Sequence, residues 1–237
     1  ALAREGVNIA ICSRNSESIT EAAEEIQKLG VKSHGFVADL SLPGSRLKAY
    51  NEVLSNLGDI DILVNNVGGG NETTSSGSIL EMSTEDYEKV FDLNFYVSVD
   101  LMKLVLPKMQ KNKWGRIINI SSIWGREHGG SSSAYMTAKS ALITITKDTA
   151  INVIKDGVCV NSVAPGMILN EGNGWDKLVK SNSKEFIDSF IAQNLPAGKF
   201  GWVEPIGATV AFLASKQAGL IAGACINVDG AQTKSII

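Results

Sequence analysis

Tyr135 and Lys139 stand four residues apart, and the segment that follows them, SALITITKDTAINVI (140–154), has helical periodicity. That spacing puts both side chains on one face of a helix, one turn apart. A phenol with a pKa of about 10 is no base near neutrality. An ammonium one turn away favours the phenolate and is expected to draw that pKa towards the working range. Upstream, GRIINISS (115–122) reads as a buried strand ending in two hydroxyls. Ser122 then falls at a strand's carboxyl end, where open α/β sheets bind ligands. A serine, a tyrosine and a lysine converging there suit proton transfer to or from an alcohol oxygen. Alone, each piece is bland: Tyr-x-x-x-Lys fits an ordinary helix face, and Ser121-Ser122 a strand end entering a turn.

The elements that must position these residues alternate along the chain. Residues 1–6 read as the end of a helix closing on Gly6. Strands are expected at 7–12, 31–38, 61–66, 115–121, 157–164 and 223–228. Helices are expected at 17–29 with Ser16 as N-cap, 43–57, 83–111, 134–155 and 204–215, with helical patches at 175–180 and 184–193. Pro107 is expected to end or kink its helix. Gly68-Gly69-Gly70 should break the third strand into a loop. Most strands are continuous Val/Ile runs, the mark of a parallel sheet covered on both faces. The expected fold is therefore α/β, a doubly wound parallel sheet in a single domain spanning 1–237.

Composition narrows the function classes. The 237 residues carry a formal net charge of −3 with no block of one sign, so a nucleic-acid footprint is absent. No apolar run is long enough for a membrane span. Cys12, Cys159 and Cys225 lie in strand-like runs and read as free thiols of a reducing compartment, hence a cytoplasmic protein. Two histidines and no Cys/His/Asp cluster argue against a metal site.

Ser122 and Tyr135-x-x-x-Lys139, 13 residues apart and joined by a Gly/Ser-rich loop, together resemble the short-chain dehydrogenase/reductase family. The resemblance runs along essentially the whole chain. It implies a Rossmann-like fold and a hydride transfer between NADP or NAD and a secondary alcohol or ketone. Tyr135 is then the general acid/base, Lys139 lowers its pKa and orients the ribose, and Ser122 holds the substrate oxygen. Asn94 matches the family's fourth catalytic residue, which helps hold a water in the relay from Lys139. Asp39, followed by Leu40, matches the acid placed against the adenine ring, the other reading being a helix cap before Pro43. Asn65-Asn66-Val67-Gly68 resembles Asn-Asn-Ala-Gly, with Asn66 and Gly68 at the cofactor. Pro165, Gly166 and Ile168 match the segment that contacts the nicotinamide carboxamide; Asn170 stands where a threonine is frequent. His128 is a solvated loop residue or a substrate contact.

Two further expectations follow from the resemblance and its gaps. Residues 93–106 and 138–154 read as apolar nearly all round, which implies a partner surface and, in this family, a homotetramer. The family opens with a strand and a glycine-rich turn that bind the pyrophosphate; these are missing, and the sequence is read as a fragment rather than as a protein lacking its central strand. The second strand of the family pattern ends here as Ala10-Ile11-Cys12-Ser13, without the acid that favours NAD. Ser13 replaces it and Arg14 follows, suited to a 2′-phosphate, so NADP is preferred; a solvated turn arginine is the alternative. Loops 122–134 and 167–200 shape the substrate pocket. A non-catalytic binding subunit and an isomerase or epimerase on the same fold are the rival functions.

Overall fold

The computed structural model describes residues 1–69, 76–130 and 132–236. Among these residues six parallel strands form two sheets. The smaller pairs β1 (Ile9–Ser13) with β2 (Ser33–Val37). The larger runs in the order β3 (Ile62–Asn65), β4 (Gly115–Ile120), β5 (Val158–Pro165), β6 (Cys225–Val228).

Consecutive residues of the central strands serve opposite layers, which is why their sequences are apolar without alternation. Ile117 packs with Met102, Val105 and Met109 of α4 (Val97–Asn112) and Ala150 and Val153 of α5 (Ser133–Val153). Its neighbour Ile118 packs on the other side with Val210, Leu213 and Ala214 of α8 (Val203–Ala214). Full burial of side chains of this size contributes about 1.5–3 kcal/mol each.

The smaller sheet is carried by α1 (Ser16–Gln27) and α2 (Pro43–Leu57). It joins the rest through a cluster in which Leu40, Ala49 and Val97 are buried, with Cys12, Phe36, Val67 and Leu101 packed around them. Between the two sheets lies a cavity of about 1140 Å³, lined by Ile9–Cys12 of one edge and Ile62–Asn65 of the other. Among the described residues neither β1 nor β3 has a strand partner on that side. Among the described residues no helix is long and apolar enough to cross a membrane.

Several sequence expectations change in detail. Residues Ala3–Glu5 form a 3-10 turn closed by Gly6 at φ 83°. The N-cap of α1 is Asn15, not Ser16: its side chain accepts from the Ser18 amide at 3.0 Å, while Ser16 is already helical. The expected helix 83–111 is three pieces: α3 (Thr84–Phe91), a π-helical turn at Asp92–Tyr96, and α4. A capping box between Ser83 and Asp86 starts it. Pro107 does not end it, because Pro107 and Lys103, whose carbonyl it leaves without a donor, both lie on the exposed face where water substitutes. Gly70 of the expected loop break lies outside the described residues.

Candidate active site

Ser121 and Ser122 continue β4 beyond its last residue, and the Ser121 amide still donates to the Val163 carbonyl at 2.7 Å. The Ser121 hydroxyl donates to the Lys139 carbonyl at 3.0 Å, tying the strand end to α5. Ser122 is 6% exposed; its hydroxyl accepts from the Trp124 amide at 3.2 Å and is hydrogen-bonded to the Tyr135 side chain. Ser132 caps α5 by accepting from the Tyr135 amide at 3.3 Å, which fixes Tyr135 in the first turn. The next loop comes so close to α5 that a side chain at Gly125 would stand 2.8 Å from the Lys139 backbone. Only glycine fits there.

Lys139 is 3% exposed and donates to the Ile120 carbonyl at 2.9 Å. Its ammonium lies 5.6 Å from the centre of the Tyr135 ring. Burial lowers its pKa to about 8. Burial also raises the Tyr135 pKa, and the hydrogen bond with Ser122 works in the opposite direction without overcoming it. The downward pull expected on Tyr135 is thus not what the folded chain shows: desolvation of the phenol wins.

Asn94 is fully buried inside the π-helical turn. Such a turn widens the helix and aims a side chain inward, a device frequent at functional sites. Its amide oxygen accepts from the Gly69 amide at 2.8 Å, and its nitrogen donates to the Gly69 and Val90 carbonyls at 2.8 and 3.0 Å. The side chain thereby pins the Gly68–Gly69 backbone. A side chain at Gly68 would meet Asn94 Oδ1 at 2.7 Å and Lys139 Nζ at 3.0 Å, so the glycine, the asparagine and the lysine close on one point.

Behind this point runs a buried polar row that the sequence reading missed. Asn65 and Asn119 are register partners, and Asn65 Nδ2 donates to Asn119 Oδ1 at 2.8 Å. Asn119 Nδ2 donates to the Thr146 hydroxyl at 2.8 Å, which donates to the Leu142 carbonyl at 2.7 Å. Asn119 was visible only as a polar break in GRIINISS, and nothing local told that its partners would lie on β3 and α5.

The other candidates gather at the carboxyl ends of the strands. Ser13 ends β1 and Arg14 is exposed beside it, close enough for its charge to act on Asp39. Hydrogen bonds from the Ser41 hydroxyl and amide hold the Asp39 carboxyl below its usual range. Asp39 therefore orders the turn before α2, whose N-cap is Leu42. Leu40 is buried next to it, and Asn66 is exposed just past β3. Pro165 ends β5; the Gly166 amide donates to Val228 and the Met167 amide to Gln232 Oε1 at 2.7 Å. Ile168 bridges Gly201, while Asn170 and His128 are exposed. Glu127 takes the Lys234 and Ser235 amides at 2.9 Å each, fastening the C-terminal segment to the loop after Ser122. Trp124 faces Trp175 of α6 (Gly174–Ser181), which also meets Phe190 and Phe200.

A sequence model described as enoyl-(acyl carrier protein) reductase matches residues 1–233. The chain belongs to the short-chain dehydrogenase/reductase family. Its relatives in that family include the 3-oxoacyl-[acyl-carrier-protein] reductase FabG of Aquifex aeolicus, 36% identical over 230 residues, covering 97% of this chain and 88% of that protein. The FabG of Staphylococcus epidermidis strain RP62A is 33% identical over the same length, covering 97% and 90%. Among solved short-chain dehydrogenase/reductase structures, L-sorbose reductase from Gluconobacter frateurii, complexed with NADPH and L-sorbose, superposes with a TM-score of 0.90 at 29% identity, covering 99% of this chain and 90% of that one. The NADPH-dependent reductase YwfH, involved in bacilysin biosynthesis, gives 0.89 at 27% identity, covering 99% and 92%. This chain is an α/β oxidoreductase of that family, and NAD(P)-dependent reduction is its class of activity.

Proposed function

We propose that the protein reduces a ketone to a secondary alcohol with NADP(H), Tyr135 serving as general acid. The observation that carries this reading is the meeting of Asn94 and Lys139 at Gly68, with the Lys139 ammonium 5.6 Å from the ring of Tyr135, which is itself hydrogen-bonded to Ser122. The residues present suit a nicotinamide dinucleotide. Ser13, Arg14, Asp39 and Leu40 would take its adenosine end, Asn66 and Gly68 its middle, Lys139 the ribose, and Pro165, Gly166 and Ile168 the carboxamide. Once bound, the nicotinamide supplies the hydride, and proton handling falls to the chain.

Ser122 donates to the carbonyl oxygen and fixes its direction. Tyr135 gives that oxygen its proton as negative charge develops there. Its raised pKa keeps the phenol protonated at neutral pH, the form that donates. Lys139 places a buried positive charge beside the developing phenolate and, with a pKa of about 8, can return the proton. Asn94 holds the Gly68–Gly69 backbone against Lys139. A second reading, an epimerase with the same groups, differs in leaving no net change in the cofactor.

The glycine-rich turn of the family has its natural seat in the cavity between β1 and β3, where two parallel edges have no strand partner among the described residues. A strand of the same polypeptide placed there would bring such a turn to the strand ends that carry Ser13 and Asn66. Mass spectrometry of the native protein tests this: residues ahead of Ala1 support it, and an active mature chain starting at Ala1 overturns it.

The function itself is tested by following nicotinamide absorbance at 340 nm with a panel of ketones and alcohols and both cofactors. Tyr135→Phe should cut turnover by about 10²–10⁴-fold, with cofactor affinity nearly unchanged. A variant keeping more than about a tenth of wild-type turnover with chemistry rate-limiting would remove Tyr135 from the role.

A further inference from the structure

The geometry points to Arg46 as a positioning residue that fastens the proposed adenine-side loop and the turn carrying Asn94 to one guanidinium. Arg46 lies in the first half of α2, where a helical arginine ordinarily reaches into solvent. Here its side chain is 4% exposed. All three of its nitrogens are engaged on different segments. Nε donates to the Leu40 carbonyl at 2.9 Å. Nη2 donates to both carboxylate oxygens of Asp92 at 2.7 Å, and Nη1 to Asp100 Oδ2 at 2.7 Å. A planar five-donor fork can satisfy acceptors in three directions at once; a lysine has a single nitrogen to offer.

The position of the acceptors gives the cluster its meaning. Leu40 adjoins Asp39, at the carboxyl end of the small sheet. Asp92 is the first residue of the π-helical turn, two residues before Asn94. A π-helical turn is less favourable than α-helix and persists where its surroundings hold it. The Arg46–Asp92 pair supplies that hold from outside, as the Asn94 bond to Val90 does from inside. Ala49 of α2 packs against Val97 and Leu101 of α4, so the docking of α2 on α4 helps to set the distance between the two halves of the site. A clamp serving only the docking of α2 would act equally through Asp92 and Asp100; one that positions Asn94 acts through Asp92 alone.

The inference rests on the reading of Asn94 as part of the catalytic set, and the experiment separates the two. Asp92→Asn, Asp100→Asn, Arg46→Lys and Asn94→Ala are compared in the full protein by kcat, KM for ketone and for NADPH, and Tm. Asp92→Asn is expected to lower kcat roughly tenfold or more with ketone KM within about twofold, since small misplacements at a reacting centre cost rate. Asp100→Asn should leave kcat within about twofold while lowering Tm. Arg46→Lys should lower kcat and raise KM for NADPH together, because it releases both segments; should Asp92→Asn fail to fold, this paired change decides. Equal kcat losses for the two aspartate variants, or Arg46→Lys changing Tm alone, overturns the positioning role. If Asn94→Ala itself retains full turnover, the catalytic reading of Asn94 fails instead, and the two failures are distinct.

Discussion

Lys139 is the residue whose chemistry departs furthest from its ordinary state. Its folded pKa of about 8 lies below the unfolded value of about 10.4. The unfolded chain therefore binds the extra proton, and stability rises with pH across that interval. Below pH 8 the burial cost is fully present, about 3 kcal/mol on the scale of 1.36 kcal/mol per pKa unit. Lys139→Met should accordingly raise the Tm of the cofactor-free protein at pH 7, with a gain that shrinks towards pH 10. Thermal denaturation between pH 6 and 10 checks this, and a gain independent of pH would contradict it. Site residues were legible where chemistry was local: Ser122, Tyr135 and Lys139 fall in one short stretch with one spacing. Asn94 was placed only by the family pattern, since a mid-helix asparagine carries no signal of a π-helical turn. Arg46 was invisible because its partners lie 46 and 54 positions away, and a helical arginine is ordinarily solvated.

At the scale of elements, we propose that the strand ends decide cofactor choice. β1 closes on Ser13 and β2 is followed by Asp39, which brings Arg14 and Asp39 into electrostatic reach. Exposed Arg14 is free to meet a 2′-phosphate, whereas no carboxylate ends β1 to receive a free ribose hydroxyl pair. Arg14→Ala should lower kcat/KM for NADPH by roughly tenfold or more while changing that for NADH little. An unchanged ratio between the two cofactors, or a wild type preferring NADH, would take the role away from Arg14. The strands were readable because Val/Ile runs bounded by glycine and proline are short-range signals. The division of residues 83–111 was not, because the distinction between α and π turns depends on what Asn94 and Asp92 meet across the fold.

For the whole molecule, the expectation of apolar helix faces needs correction. The outer stripe of α5 carries Thr137, Ser140, Thr144, Lys147 and Asp148, all exposed, with Ile151 alone apolar among them. The reading of 138–154 as apolar nearly all round does not hold on that stripe, and half-buried Ile145 packs within the monomer against the cluster around Ile117. Exposed Tyr96, Ile151, Phe212 and Leu220 nevertheless leave apolar surface on several sides. The homotetramer remains our proposal, and sedimentation at micromolar concentration should report four copies; a stable monomer would refute it.

The open edges of β1 and β3 have a consequence for how this polypeptide behaves at the bench. Rows of backbone donors and acceptors facing a cavity are templates for any extended chain, including a neighbour's. Preparations of residues 1–237 by themselves would gain order from a short synthetic peptide able to lie in that slot. Amide hydrogens on the cavity side of the two edges, those of Ala10, Cys12, Ile62 and Val64, would exchange with deuterium quickly without it and slowly with it, while those of β4 and β5 stay protected throughout. The cavity thus makes the polypeptide its own reporter of strand insertion, read by mass increments and independent of any substrate.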